Sequence, residues 1–490
     1  MKSASIVTIL MTALVMPVQA QQAGEISYED VSVMPSGVAG ERIASVIATL
    51  NSGDADRVRH FIETEVTPAF RAVASMDEHV GVFLETAHTW GTVSFHGIRS
   101  YTPARAETVV ILKDSNFGAW RAFTFQLDAA QDHLISRFSF NSARTPTNVE
   151  EPSLTMAEVV EEVNTLVRRL CAADLFSGSV LLANAEGVLL ERACGEASKR
   201  FHVTNDTETK FNLGSMNKMF TSIAIAQLAE RGVLSYDDSI SMYVDESWLP
   251  AEITDRVTIH HLLTHTSGLG SYFNDTYWEG SRELFRSVDD FKPLVNGDTL
   301  AFEPGSQFRY SNTGMLLLGV VIESATGHSY FDHIRANVYE PAGMVNSDSY
   351  EMDYPVENLA IGYVRDSDSE WGWENNLYKH VIKGGPAGGG FSTVGDLHRF
   401  AVALMEHQLV SPETRERMWT DHSGSGYGYG FGIRDLAAGR VVGHSGGFSG
   451  LNGNLDIFVE SGNIVAVLAN YDRGADPVAQ RINNLLGRVK

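Results

Sequence analysis

Cysteine is nearly absent: Cys171 and Cys194 are the only two among 490 residues. They lack C-x-x-C spacing, so a cysteine metal site and a dithiol redox centre are excluded. One pair is too little for a disulfide-dependent scaffold; the two either bridge in an oxidising compartment or stay as buried thiols. Basic residues are also scarce, 37 Lys and Arg against 61 Asp and Glu, for a formal net charge of −24. No Lys/Arg block offsets this, which excludes nucleic acid as a partner. Long apolar runs are missing beyond the first twenty residues, so no membrane helix is expected. Histidine is missing after Ser445. The run Gly443-His444-Ser445-Gly446-Gly447 has the pattern of a nucleophile elbow, but a triad in the order Ser, Asp/Glu, His has no base to complete it.

What is present describes an exported globular protein. Residues 1–20, MKSASIVTILMTALVMPVQA, combine Lys2, an apolar stretch and a small-residue end, the pattern of a signal peptide cleaved after Ala20. A periplasmic or secreted location follows. The apolar content of 43% suffices for a real core, and the length implies two or three domains. Residues 24–140 read as a small α+β accessory domain. Ile43, Val46, Ile47 and Leu50 recur at helical spacing, as do Val58, Phe61 and Ile62, and strand-like runs follow at 108–112, 119–127 and 134–140. Helices followed by curled antiparallel strands resemble the cone-shaped nuclear-transport-factor-like fold. Packing or homodimerisation is the expected role of this part. Residues 141–154 are polar with two prolines and read as a linker. From 155 to 490 runs a larger domain, opening with an amphipathic helix at 155–170 and a hairpin that turns at Asn184–Gly187.

Within it, the run FNLGSMNKMFT at 211–221 places Lys218 three residues after Ser215, one turn on along a helix. Apolar Met219, Phe220, Ile223, Ile225 and Leu228 surround that helix. A serine hydroxyl needs a neighbour to take its proton, and a desolvated lysine has its pKa lowered toward neutrality. Ser215 is thus the expected nucleophile and Lys218 its base. At 308–312, Phe-Arg-Tyr-Ser-Asn precedes an apolar helix; Tyr310 would relay protons and Asn312 would contact a substrate carbonyl. On a late strand, Gly446 and Gly447 expose backbone N–H groups; with that strand beside the Ser215 helix, the N–H of Gly447 can pair with that of Ser215 as an oxyanion hole, leaving Ser445 as wall and His444 as the informative residue. His260, His261 and His265 form no H-E-x-x-H site and read as structural; no metal or cofactor is expected. The run GGPAGGG at 384–390 lacks the Gly-Lys-Ser/Thr of a phosphate loop.

S-x-x-K, then Y-x-N, then H-x-G on a late strand together resemble the serine beta-lactamase and penicillin-binding-like hydrolases, which include class C beta-lactamases, D-alanyl-D-alanine carboxypeptidases and related esterases. The phrases VTIHHLLTHTSGL (257–269), EPGSQFRYSNTGMLLLG (303–319), EPAGMVNSDS (340–349) and GPAGGGFSTVGDL (385–397) strengthen the resemblance, which covers about 155–488. It implies an α+β fold, an antiparallel sheet from both ends of the domain flanked by helices and set beside an all-helical region. It also implies acylation of Ser215, proton transfer by Lys218 and Tyr310, and cleavage of a small ester, a D-amino-acid peptide or a beta-lactam. Where classical beta-lactamases and carboxypeptidases carry Lys-Thr-Gly, this chain has His444-Ser445-Gly446, and a neutral imidazole grips a substrate carboxylate less firmly than a lysine. The competing reading is a non-catalytic binder or sensor of cell-wall-type ligands.

Overall fold

Residues 27–366 and 369–490 are described by the structure, a computed structural model. The expected signal peptide, with cleavage after Ala20, lies outside the described residues. The chain divides into two compact units, Met1–Pro152 and Ser153–Lys490.

In the first unit, helices Val38–Ser52, Ala55–Glu65 and Met76–Trp90 cover one face of a five-stranded antiparallel sheet whose strands follow chain order. Ile43, Val46, Leu50, Val58, Phe61, Ile62 and Phe83 meet Val110, Leu112, Phe123, Phe125 and Ile135 in its core. The helical and strand patterns read from these residues are therefore the buried faces. Bulges at Phe95/Gly97 and Gln126/Leu127 interrupt the register, a feature that bends strands and increases their twist. Periodicity did not signal the Met76–Trp90 helix, although Ser75 and Glu78 form a capping box at its start. The polar segment after Ser142 is tied down: Thr147 exchanges hydrogen bonds with Asp30, and Arg99, paired to Asp30 at 2.9 Å, also donates to the Arg144 carbonyl.

The second unit is built on a six-stranded antiparallel sheet. Its order is Gly432–Leu436, Gly439–Phe448, Leu451–Phe458, Ile464–Ala469, Gly178–Asn184 and Gly187–Cys194, so both ends of the unit share one sheet. Helices Met156–Ala172 and Asp476–Leu486 pack on one face and Val394–Met405 on the other. Covered on both sides, strand Ile464–Ala469 is buried at every position, which explains its unbroken apolar run. Cys171 and Cys194 form a disulfide that ties the end of the first helix to the end of strand Gly187–Cys194, so the bridged alternative holds. The helical region centres on Asn217–Glu230, with Asn312–Thr326 packed against it. Asn217–Glu230 is buried along nearly its whole circumference, as expected of a helix without a polar face.

Candidate active site

Ser215 sits in a tight 3-10 turn, Gly214–Met216, that runs straight into the Asn217–Glu230 helix. The run 384–390 holds this turn in place. Gly389 donates its N–H to the Gly214 carbonyl at 2.9 Å, Leu213 donates to Gly390, and the Asn217 side chain donates to the Gly385 carbonyl at 2.8 Å. The glycines allow this approach: a Cβ on Gly384 would lie 2.0 Å from the Gly390 nitrogen.

Lys218 is fully buried, and its Nζ lies 3.0 Å from Ser215 Oγ. Burial alone lowers its pKa to about 7, because the protein interior disfavours the ammonium. Nζ also donates to the Ala387 carbonyl. With one N–H so engaged, the lone pair of the neutral amine is free to face the serine hydroxyl. The sequence named the amine but not this carbonyl, which comes from a segment 169 residues away.

Tyr310 closes the group. Its ring centroid is 4.9 Å from Lys218 Nζ, and its hydroxyl lies within reach of the Ser215 side chain. As a residue it is 38% exposed, yet its hydroxyl is enclosed enough that its pKa is raised. Behind it stands His265, fully buried with φ +56°, its ring 4.3 Å from that of Tyr310. His265 Nδ1 accepts the Ser311 N–H at 3.1 Å, and burial, followed by the nearby Lys218 and His444, pushes its pKa well down. It remains neutral and braces the loop that presents Tyr310.

The strand Gly439–Phe448 faces this group. Its pairing with Gly432–Leu436 ends at Gly443↔Gly432, so residues 444–448 have no strand partner on that side. The hairpin closes with Phe448↔Leu451, a pair that must exchange both backbone hydrogen bonds. Counting back by twos, Gly446 and His444 bond inward to Leu451–Phe458, while Gly447 and Ser445 turn their N–H and C=O to the open edge. Gly447 N is also close to the nucleophile turn: a Cβ on Gly214 would lie 3.1 Å from it. Gly446 itself does not face the open edge. It is buried, and a Cβ there would lie 1.9 Å from the Leu213 carbonyl oxygen, so its service is close approach. Ser445 is exposed on the edge.

His444 differs from a lysine in more than charge. Its Nδ1 donates to the Ser445 carbonyl at 2.5 Å, which makes Nε2 an acceptor for the Tyr427 hydroxyl at 3.0 Å. Burial first and Lys218 second push its pKa down to about 3. Tyr427, buried against His265, was not singled out in the sequence, though the run GYGYGF carried it. Asn312 opens the Asn312–Thr326 helix, capped by Ser311, and its Nδ2 donates to Ser271 Oγ at 3.2 Å. Ser271 was likewise not anticipated. His261 completes a capping box with Thr258, and His260 bonds the Tyr429 hydroxyl. Among the described residues no cluster of three or more His, Cys, Asp or Glu side chains is arranged to hold a metal ion.

A buried amine that sheds its proton near neutrality, set beside a hydroxyl, is equipment for attack on a carbonyl carbon, and the second unit is that of a serine hydrolase. Comparison with known proteins supplies the family. Residues 163–488, more than half of the chain, match the Beta-lactamase family model, and the chain belongs to that family. It is 31% identical over 341 residues to penicillin-binding protein 4* of Bacillus subtilis (strain 168), covering 64% of this chain and 73% of that protein. Its fold matches that of a penicillin-binding protein from Bacillus halodurans with a TM-score of 0.60 and 32% identity, over 67% of this chain and 98% of the other. A D-amino acid amidase from Ochrobactrum anthropi SV3 shares the fold, with a TM-score of 0.57 at 20% identity over 67% of this chain and 98% of that one.

Proposed function

We propose that the protein cleaves an ester or amide through an acyl-enzyme on Ser215. The observation that carries this reading is the buried Lys218 Nζ, 3.0 Å from Ser215 Oγ, with a pKa of about 7. As Oγ attacks the carbonyl carbon, its proton passes to the neutral Lys218. The carbonyl oxygen takes up the negative charge and accepts hydrogen bonds from the N–H groups of Ser215 and Gly447. The C–O or C–N bond then breaks as Tyr310 gives its proton to the leaving group and recovers one from the Lys218 ammonium. Water repeats the sequence on the acyl-enzyme and frees Ser215. Asn312, two residues from Tyr310, orients the substrate.

A neutral His444 gives no fixed cation to a substrate carboxylate. This favours small esters and D-amino-acid amides or peptides over beta-lactams, and the fold shared with a D-amino acid amidase agrees with that choice. We also read the protein as exported, since the Cys171–Cys194 bridge suits an oxidising compartment. The test is a fluorophosphonate probe, with p-nitrophenyl esters, D-amino-acid amides and nitrocefin as substrates. Wild type is expected to label and turn over; Ser215→Ala is expected to do neither. Equal labelling and turnover by Ser215→Ala would remove Ser215 from the mechanism.

A further inference from the structure

Strand Gly439–Phe448 does not end at the oxyanion residue. Phe448 follows Gly447 directly, and its ring joins an aromatic group formed by the 273–278 segment. The Phe448 ring lies 5.4 Å from Phe273 and 6.1 Å from Trp278, parallel to the latter within 2°. Phe273 and Trp278 are themselves stacked at 6.0 Å, and Trp278 Nε1 donates to the Phe273 carbonyl at 3.2 Å, which holds the two together. The buried His380 ring backs Phe448 at 5.1 Å.

These rings are not sealed in a core. Trp278 is 51% exposed and Phe273 and Phe448 are half-buried, whereas Tyr272 and Tyr277 of the same segment are buried. The group is also continuous with the site. Phe273 lies two residues from Ser271, the partner of Asn312, and Phe448 lies one residue from Gly447.

The strand works as a ruler, with about 3.3 Å per residue. Side chains at 444, 446 and 448 share one face. His444 stands beside Tyr310, their rings 6.4 Å apart, Gly446 lies on the nucleophile turn, and Phe448 lies beyond it. If Tyr310 protonates the leaving group, that group departs toward the His444 end. The acyl substituent then points toward Phe448.

We infer that Phe448, Phe273 and Trp278 form a subsite for a flat apolar substituent on the acyl side of the substrate, a phenyl ring being the simplest case. The inference rests on the Ser215 acyl-enzyme reading. Ring–ring contact with an offset or edge-on geometry favours an aromatic substituent over a methyl beyond the area it buries.

The experiment compares p-nitrophenyl phenylacetate with p-nitrophenyl acetate, which share a leaving group. Each kcat/KM is divided by the ester's spontaneous hydrolysis rate. The wild type is expected to favour the phenylacetate by about tenfold or more, and Trp278→Ala and Phe273→Ala to bring the ratio about tenfold closer to one. Because the ratio is taken within one protein sample, partial loss of folded enzyme cancels. Hydrolysis that depends on Ser215 with the same ratio in wild type and both variants overturns the subsite alone. Hydrolysis of neither ester by a Ser215-dependent route overturns the functional reading and the subsite with it.

Discussion

Lys218 shows what burial does to one charge. Its pKa falls from 10.5 to about 7, so in the interval between these values the unfolded chain holds the proton that the folded chain has released. Stability therefore rises with pH across that interval, and the penalty of burial is complete below about pH 7 and gone above the unfolded value. The same shift makes the amine a base at neutrality. Lys218→Met is expected to abolish turnover while raising stability by about 1–4 kcal/mol, read from denaturant midpoints at pH 7. Lower stability in that variant would mean that the contact with Ala387 outweighs desolvation. For the wild type, kcat/KM is expected to climb with pH about a midpoint near 7, the signature of a base that must be unprotonated. His444, held down to about 3, adds no inflection in the neutral range, so a profile unchanged in shape in His444→Gln is expected.

At the scale of elements, the site is a helix start set against a strand edge, and two neighbouring glycines do different work there. A Cβ at Gly446 would lie 1.9 Å from a backbone oxygen of the nucleophile turn, whereas one at Gly447 meets nothing closer than 3.8 Å. Gly446→Ala is expected to separate strand and turn, lowering kcat at least tenfold and stability by about 1–3 kcal/mol. Gly447→Ala should keep activity within a few-fold, since only its N–H is used. Similar losses in both variants, by ester assay and thermal melt, would contradict this account of the oxyanion edge. The helix that carries Lys218 was legible because its signals are local: an unbroken apolar run follows the motif, and Ser215 and Lys218 are one turn apart whatever surrounds them. The strand at 439–448 could be recognised but not placed, since neither the free edge after Gly443 nor the packing of Gly446 on Leu213 leaves a trace in nearby residues. Tyr427 and Ser271 were missed for the same reason, each owing its importance to a partner far along the chain.

On the scale of the whole molecule, every residue assigned to the site lies in Ser153–Lys490, which has its own core. A chain of residues 153–490 is expected to fold and to hydrolyse p-nitrophenyl acetate at a rate close to that of the full protein. A large loss of kcat on removing the first unit would give that unit a part in catalysis. The disulfide closes 23 residues between helix and sheet, and its reduction is expected to cost about 2–4 kcal/mol of stability through the freer unfolded chain.

Taken alone, the sequence determined the order of the reactive segments, the spacing of hydroxyl and amine one turn apart and the neutrality expected of His444, because each follows from local spacing or intrinsic chemistry; the antiparallel main sheet was expected only through the family resemblance. Only the tertiary structure decided that Cys171 meets Cys194, that the Ala387 carbonyl holds the amine and that Gly447 lies against the nucleophile turn. It also brought Phe273, Trp278 and Phe448 together. These are meetings between segments far apart in the chain, set by how the sheet and the helices pack.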